Sequence, residues 1–369
     1  MEILRKKRLI YLVNKLNRAG AEKQLLLIVK ALFKKYDIAI VALSGKGSLD
    51  DDFKKYVPLY YFNIPSWRSL SSIRQFSRLI KFLHQYKADI IHSWLYHSNL
   101  TAAIVSFFLR NHAVIASERN TLFWTNKRHD IVYPFIFRSA DKILVNSQAI
   151  RNDIEKKYGV SEKVVIIPNG IELTSDAYRV EPAYNYTQNL TVIGCVGRFV
   201  PQKRQIDVIE AARLLLERHR DLFFVFVGDG ETLNDCKGKV AQYGIARHFL
   251  FTGAVKDVFP YLVTFDILIQ ASTSEGMPNV IMEAMLLGIP VVATDVGGTS
   301  DLIEMGVNGY LVTPHSISEI MTRIESLVVN EPLRLEFATK SKDKINQFSL
   351  ERMVGKIESM YQHALQEKG

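Results

Sequence analysis

The chain has 369 residues, a formal net charge of +9, 48% hydrophobic residues and 23% charged residues. This composition excludes a disordered chain, and the length predicts two domains of ordinary size. The only two cysteines are Cys195 and Cys236, so we expect no disulfide framework and a reducing, cytoplasmic compartment. The apolar run from Leu9 to Val13 is too short for a signal sequence, and no run has the length of a membrane span. We therefore expect no spanning segment.

Short apolar segments alternate with helical patterns along the whole chain. Strands are predicted in the first half at 9–13, 38–43, 89–93, 114–117, 142–146 and 164–167, and in the second half at 192–196, 223–227, 250–252, 267–270, 291–294 and 310–312. A polar stretch at 172–189 separates the halves, and a last helical pattern covers 353–365. The alternation predicts an α/β protein with two doubly wound parallel sheets, which bind ligands at the carboxyl ends of their strands.

Positive charge is concentrated between Phe53 and Ser117, where Asp89 is the only acid. A predicted helix in this stretch has Ile73, Phe76, Ile80 and Leu83 on one face and Arg74, Arg78 and Lys81 on another. The helix is typical of one that lies on an anionic membrane surface, and equally of a packed helix with a solvated basic face. No recognition helix, zinc finger or interleaved aromatic pattern is present, so nucleic acid is not an expected partner.

The most informative segment follows the predicted strand at 267–270. Glu275 and Glu283 stand eight residues apart and flank Gly276, Met277, Pro278 and Asn279. Pro278 suits the first turn of a helix, whose free backbone N–H groups attract a phosphate. We therefore predict a phosphate at the helix start with an acid on either side to bind hydroxyls. The alternative is one surface-loop acid and one solvated helical acid.

A second segment follows the first strand of the second half. A glycine turn is followed by Arg198 and Lys203, five residues apart. The guanidinium fork and the movable ammonium suit the two phosphates of a diphosphate, although a solvated loop with two cations gives the same pattern. Gly228 and Gly230 follow the next strand and indicate either a close approach to ligand or a plain turn.

Together these segments resemble the retaining GT-B glycosyltransferases of family 4 (glycosyl transferases group 1). Glu275 and Glu283 match that family's E-x7-E motif, which implies that Glu275 meets the donor sugar and Glu283 the nucleotide ribose. Arg198 and Lys203 match its G-R-x4-K phosphate clamp, but Arg204 stands where the family has glycine. The resemblance implies the GT-B fold, with two Rossmann-like domains facing a central cleft. One domain is expected at 1–175 with a crossover helix at about 347–369, and the other at 190–346.

The resemblance also extends to other loops, including a Gly-Ala-Glu loop at Gly20 and a base-facing glycine at Gly253. The donor-binding residues that it implies are Gly20, Arg198, Lys203, Gly253, Glu275, Gly276, Met277, Pro278, Asn279 and Glu283. The catalytic set is Glu275, Arg198, Lys203 and His97, the last of which is expected near the donor sugar unless it is an ordinary packed or surface histidine. Glu118, Arg119 and Asn120 are expected at the acceptor.

The resemblance implies a retaining hexosyltransferase that uses a UDP-hexose or UDP-N-acetylhexosamine. The expected acceptor is a hydroxyl of a lipid-linked or polysaccharide chain in cell-surface glycan biosynthesis. No metal or other cofactor is expected if Arg198 and Lys203 neutralise the diphosphate, and the D-x-D run at 50–52 is interpreted as solvated charge. The alternatives are another GT-B enzyme, such as a nucleotide-sugar epimerase or a phosphorylase, and a non-catalytic, membrane-docked nucleotide-sugar binding protein. Peripheral attachment to the inner face of the plasma membrane stays open.

Overall fold

The structure is a computed structural model, and it describes residues 5–64, 70–109, 112–121, 127–173, 180–184 and 190–368. The chain divides into two compact units. Unit 1 comprises Met1–Gly170 and Leu350–Gly369, and unit 2 comprises Ile171–Ser349. The division falls between Gly170 and Ile171, just before the polar stretch at 172–189.

Unit 1 is built on a parallel sheet in the order β3-β2-β1-β4-β5-β6-β7. Its strands are β1 Arg8–Val13, β2 Asp37–Ala42, β3 Leu59–Tyr61, β4 Ile90–Trp94, β5 Ala113–Glu118, β6 Lys142–Val145 and β7 Val164–Ile166. Its helices are α1 Gly20–Leu32, α2 Asp50–Lys54, α3 Leu70–Tyr86, α4 Tyr96–Val105, α5 Lys127–Ser139, α6 Gln148–Tyr158 and, from the end of the chain, α14 Leu350–Gln366. The short edge strand β3 was not predicted, because three residues are too few to show a period.

Unit 2 is built on a second parallel sheet in the order β10-β9-β8-β11-β12-β13. Its strands are β8 Thr191–Val196, β9 Leu222–Val227, β10 Phe249–Phe251, β11 Ile267–Gln270, β12 Val291–Thr294 and β13 Gly309–Val312. Its helices are α7 Gln205–Leu215, α8 Leu233–Gln242, α9 Phe259–Leu262, α10 Asn279–Leu287, α11 Thr299–Leu302, α12 Ile317–Val328 and α13 Glu331–Ile345.

Both sheets are buried on both faces, as parallel sheets require. In β1, Tyr11 packs in the core layer that contains α14, while its neighbour Leu12 packs in the opposite layer against α3. In β8, Ile193 and Val192 likewise face different core layers. The predicted pair of doubly wound parallel sheets is confirmed. Within the described part of the chain, no helix combines the length and the apolarity that crossing a membrane demands.

The strand order reverses between β1 and β4 in unit 1 and between β8 and β11 in unit 2. At such a switch point the loops that follow the two strands run to opposite faces and leave a crevice at the carboxyl edge, which is where doubly wound sheets bind ligands. The predicted residue Gly20 follows β1, Lys203 follows β8, and Glu275 follows β11. The topology therefore brings the predicted site residues to the two switch points.

Candidate functional site

The loop after β8 is bound to the loop after β11 by side-chain and backbone hydrogen bonds. The Nε2 atom of Gln202 donates to the Ser274 carbonyl at 2.5 Å, and the Thr273 N–H donates to the Gln202 carbonyl at 2.8 Å. The buried Gln205, at the start of α7, donates from Nε2 to the Arg198 carbonyl at 2.9 Å. These bonds hold the backbone of the predicted phosphate clamp in place against the Glu275 loop.

Lys203 and Glu275 form an ion pair between Nζ and Oε1, and both side chains are largely buried, at 17% and 11% exposed. The same Glu275 oxygen accepts a hydrogen bond from Ser272 Oγ at 2.6 Å and one from Gln270 Nε2 at 3.0 Å. A partly buried pair is less screened by water than a surface pair. The structure thus brings together one member of the predicted clamp and the first acid of the E-x7-E motif.

Arg204, which stands where the family has glycine, adopts the left-handed backbone conformation that glycine favours, with φ +50° and ψ +35°. Its side chain forms a bidentate pair with the buried Asp207, at 3.0 Å from Nε to Oδ2 and 2.5 Å from Nη2 to Oδ1. The turn therefore keeps a glycine-type backbone path, and the pair with Asp207 offsets the steric cost of the Cβ atom.

The glycines after β9 are required by close backbone packing. A Cβ atom on Gly228 would lie 2.0 Å from the Gly197 carbonyl oxygen, and one on Gly230 would lie 2.3 Å from the Phe199 carbonyl oxygen. The β9 loop thus packs on the backbone of the phosphate clamp. Gly253, after β10, has φ +72°, and its carbonyl accepts the Gly228 N–H at 3.0 Å. These loops form one connected edge of the sheet.

The E-x7-E segment runs into α10, which begins at Asn279, and Pro278, which was predicted in the first turn, is its N-cap. The preceding Gly276 and Met277 are buried, and the Gly276 carbonyl accepts the N–H of Gly298 at 2.8 Å. Glu283 is half-buried on α10. Arg198 is exposed, and the described residues give its guanidinium no hydrogen-bond or ion-pair partner.

At the switch point of unit 1, Gly20 is the exposed first residue of α1. His97 lies in the first turn of α4, where partial burial of its ring and the neighbouring His129 lower its pKa. The preceding Leu95 has φ +70° and ψ +167°, a conformation that costs a non-glycine residue on the order of 1–3 kcal/mol. His92, by contrast, is fully buried, with Nδ1 2.7 Å from the Tyr361 hydroxyl and Nε2 2.7 Å from Ser117 Oγ.

The three predicted acceptor residues differ in their surroundings, and only Asn120 is exposed. The Glu118 carboxylate is buried and accepts the Tyr133 hydroxyl at 3.0 Å, and burial raises the pKa of Glu118 to about 7. Arg119 is 3% exposed, and its Nη1 donates to the Asn169 side chain at 2.8 Å. The Glu118 carboxylate is therefore hydrogen-bonded within unit 1, and the placing of Glu118, Arg119 and Asn120 at the acceptor stays a prediction.

The interpretation of the acidic run at 50–52 as solvated charge is corrected for its first member. Asp50 begins α2 and is buried, where it accepts the Tyr61 hydroxyl at 2.6 Å and the Gly47 N–H at 3.0 Å. Asp51 and Asp52 pair with cations of the same unit. Within the described residues, no group of three or more His, Cys, Asp or Glu side chains is placed to hold a metal ion.

Sequence reasoning missed the residues that orient the predicted ones. Gln202, Gln270 and Ser272 hold the Lys203–Glu275 pair, and Asn169 holds Arg119. Asn169 lies in a Pro-Asn-Gly sequence that reads as a turn. No local pattern marks these polar residues. The partners of Asn169 and Gln202 are 50 and 72 positions away, and Gln270 stands at the end of a strand that reads as core.

Comparison with known proteins gives two family models that match consecutive parts of the chain. The model of glycosyltransferase family 4 matches residues 18–175, and the model of glycosyl transferases group 1 matches residues 181–344. Together they cover most of unit 1 and unit 2.

Relatives match over nearly the full chain. The UDP-Gal:alpha-D-GlcNAc-diphosphoundecaprenol alpha-1,3-galactosyltransferase of Escherichia coli is 26% identical over 348 residues, which cover 89% of either chain. The capsular polysaccharide biosynthesis glycosyltransferase CapM of Staphylococcus aureus is 24% identical over 353 residues, 90% of this chain and 92% of CapM. The crystal structure of Anabaena Alr3699/HepE in complex with UDP superposes with a TM-score of 0.84 at 21% identity, covering 96% of this chain and 100% of that one. This similarity confirms the predicted GT-B fold.

Proposed function

Because the chain belongs to the GT-B glycosyltransferases of family 4, we propose that it moves a sugar from a nucleotide diphosphate to a hydroxyl with retention of anomeric configuration. That it is a hexosyltransferase follows from its family. The donor, its binding residues and the stereochemical outcome are the proposal. The observation that carries the donor assignment is the Lys203–Glu275 pair at the switch point of unit 2.

The proposed chemistry follows from the charge that develops on the leaving group. As the glycosidic bond breaks, negative charge grows on the diphosphate, and Lys203 and Arg198 stabilise it more in the transition state than in the ground state. The backbone N–H groups at the start of α10 add a positive dipole end. With two cations at this position, we propose that no metal or other cofactor takes part.

In the retaining step, the acceptor hydroxyl attacks from the face that the diphosphate leaves, and a donor phosphate oxygen takes the hydroxyl proton. Glu275 is proposed to bind the sugar hydroxyls, since its carboxylate is already oriented by Ser272 and Gln270. Glu283 is proposed to bind the ribose. His97 is proposed to contact the sugar from unit 1. No side chain then acts as a strong base.

The acceptor is proposed to be lipid-linked or polysaccharide, and the product to be a cell-surface glycan. The names of the two relatives described above support this. The E. coli relative is named for a diphosphoundecaprenol-linked sugar, and the S. aureus relative is named for capsular polysaccharide biosynthesis. A UDP-hexose or UDP-N-acetylhexosamine is the proposed donor, which the UDP-Gal donor named for the E. coli relative supports.

Unit 1 carries an exposed apolar surface that supports docking to an anionic membrane. The large hydrophobic residues that are exposed in its described part are Ile73, Phe107, Phe108 and Ile131, at 59%, 69%, 60% and 78%. Ring contacts link the two phenylalanines to neighbouring helices, since Phe108 lies 6.5 Å from Phe76 of α3, and Phe107 stacks at 5.6 Å on Phe135 of α5. We call the four exposed residues the aromatic edge of unit 1.

Ile73 of α3 is exposed, although it belongs to the apolar pattern of the helix. Leu83 of the apolar pattern is buried, as is Leu79, which lies outside the pattern, while Arg74 and Arg78 are exposed on the same helix as Ile73. Apolar side chains next to exposed cations match the interface of an anionic bilayer. We propose that this surface holds the enzyme at the membrane that carries a lipid-linked acceptor.

One experiment tests the proposed function. Purified protein is incubated with UDP-linked hexoses and N-acetylhexosamines, with and without a diphosphoundecaprenol-linked sugar, and both UDP release and the anomeric configuration of the product are measured. Acceptor-dependent UDP release with an α-linked product from an α-linked donor supports the proposal. An inverted product would refute retention, and conversion of the donor to an epimer without acceptor would favour the epimerase alternative.

A further inference from the structure

Arg119 is a buried cation that has no counter-charge within the part of the chain that the structure describes. Its side chain is 3% exposed, and its guanidinium carbon lies 4.1 Å from the centroid of the Trp94 ring. Nη1 donates to Asn169, but within the described part of the chain Nε and Nη2 have no hydrogen-bond partner. Among the described residues no carboxylate forms an ion pair with it, and the adjacent Glu118 is occupied by Tyr133.

The position of Arg119 is that of a ligand-binding residue in a doubly wound sheet. Trp94 ends β4, Arg119 follows β5, Asn146 follows β6, and Asn169 lies just after β7. These strands are neighbours in the sheet, so the four side chains form a row along its carboxyl edge. Asn146 donates to the Asn169 oxygen at 3.3 Å, and its own buried Oδ1 finds no hydrogen-bond partner among the residues described.

The groups around Arg119 are neutral. Tyr11 and Tyr361 share a hydrogen bond at 2.9 Å between their hydroxyls, and Tyr361 in turn contacts His92. Burial and the charge of Arg119 lower the pKa of His92 well below its ordinary value, so the imidazole is uncharged at pH 7. Neutral and aromatic groups do not compensate the positive charge of a buried guanidinium. An anion with two oxygens does, because it accepts two hydrogen bonds from the guanidinium and carries the opposite charge.

We propose that Arg119 binds a phosphate oxygen of one of the two substrates through its free Nε and Nη2 groups. This inference rests on the proposed function for the identity of the substrates, which are a nucleotide diphosphate donor and a lipid-linked diphosphate acceptor. Both substrates contain a diphosphate, and the guanidinium of Arg119 can bind the phosphate oxygens of either one. In the ligand-free protein the guanidinium is held ready by the Trp94 face and by Asn169, so little side-chain ordering is needed on binding.

The test uses inorganic pyrophosphate and the thermal unfolding of unit 1. Tryptophan fluorescence reports on this unit alone, because all three tryptophans of the chain, Trp67, Trp94 and Trp124, lie within it. Every protein in this arm carries R198A and K203A, so that the cations of unit 2 do not contribute. We expect saturating pyrophosphate to raise the unfolding temperature by about 2–4 °C with Arg119 present, and by nothing measurable in R119M.

The matched control is R8M. Arg8 also lies over a ring, that of Tyr86 at 5.8 Å, but its guanidinium pairs with Asp37 and the Tyr86 carbonyl. We expect R8M to lower the unfolding temperature without changing the shift that pyrophosphate produces. Without pyrophosphate, R119M should leave the unfolding temperature unchanged or raise it, since an apolar side chain replaces an uncompensated buried charge. An equal pyrophosphate shift in R119M and its parent would overturn the proposal.

A second arm identifies the source of the phosphate in the otherwise unchanged chain. If the donor supplies it, R119M raises the Kd for UDP, measured by calorimetry, by at least about tenfold. If the acceptor supplies it, the Kd for UDP is unchanged and the KM for a diphosphoundecaprenol-linked sugar rises by a similar factor. A chain without turnover would refute the proposed function but not the site, because the pyrophosphate arm needs no catalysis.

Discussion

Lys203 and Glu275 lie 72 positions apart in the chain and form an ion pair at the carboxyl edge of one sheet. In the ligand-free protein each neutralises the other. A bound diphosphate would bring two further negative charges next to Lys203, where the Glu275 carboxylate already lies. The diphosphate and Glu275 would therefore compete for the Lys203 ammonium. The first prediction follows from this competition.

We expect K203A to lower the rate of UDP release by roughly 100- to 1000-fold, the cost of removing one group that stabilises transition-state charge. E275Q should behave differently. It removes the competing carboxylate from Lys203, so the affinity for UDP should hold or increase, while turnover falls because the sugar loses its carboxylate partner. Calorimetry with UDP and steady-state kinetics separate the two effects.

E217Q is the control for this pair, since Glu217 pairs with Arg213 at 3.0 Å next to α7, in an exposed geometry. Such surface pairs contribute little. Full activity in E275Q or K203A would refute the site, and a fall in UDP affinity in E275Q would refute the proposed competition.

The second prediction concerns the left-handed turn at Arg204. R204G and R204A both remove the pair with Asp207, but alanine keeps the Cβ atom that clashes at φ +50°. We expect R204A to be less stable than R204G by about 1 kcal/mol, measured by urea unfolding with far-UV circular dichroism.

The order should reverse at Arg213, inside α7, where glycine is less favourable than alanine by about 1 kcal/mol. R213A should therefore be more stable than R213G. The same order of stability at both positions would contradict the account of the turn.

The third prediction is a pH dependence that Glu118 imposes on unit 1. Burial raises the pKa of Glu118 from 4.5 to about 7 in the folded protein. Between these values the folded state retains a proton that the unfolded state has lost, so the free energy of unfolding falls as pH rises from 4.5 to 7. In E118Q this contribution is absent. We expect the stability of E118Q relative to the parent to increase by about 2–3 kcal/mol over that interval.

Urea unfolding at pH 5, 6, 7 and 8, followed by tryptophan fluorescence, measures this difference for unit 1. E162Q, at an exposed acid of the same unit, serves as the control. If the difference between E118Q and the parent does not change with pH, Glu118 is not protonated in the folded protein at pH 6.

The fourth prediction tests the aromatic edge. We expect F107S/F108S to reduce binding to vesicles that contain anionic phospholipid by at least about tenfold in flotation assays, since burial of each ring supplies roughly 1.5–3 kcal/mol. Replacement of Arg74 and Arg78 by Gln should weaken binding at low salt more than at high salt.

V329S/L335S in unit 2 is the matched control, because these residues are similarly exposed, at 67% and 63%. Equal loss of binding in both double variants would show that general hydrophobicity, and not this surface, drives the association. Unchanged binding in F107S/F108S would refute the docking surface.

Much of the proposed donor site can be predicted from sequence because its residues are local. Glu275, Pro278 and Glu283 lie within one strand-loop-helix segment, where spacing along the chain dictates position in space. Arg198 and Lys203 lie in a second such segment. That the two segments meet follows from strand order, which alternation alone does not determine. Ile73 shows the same limit, since its helical spacing fits either a packed face or a membrane-facing one, and only the structure shows that its side chain is 59% exposed.

The class of fold, the two sheets and the residues at strand ends could be predicted, because hydrophobic period and turn chemistry are local properties. Which of those residues have partners became clear only in three dimensions. Lys203 pairs with Glu275, Glu118 accepts a hydrogen bond from Tyr133, and the neighbouring Arg119 is buried with no counter-charge among the described residues. Charge compensation depends on groups that are distant in the chain and adjacent in space, and no local pattern records it.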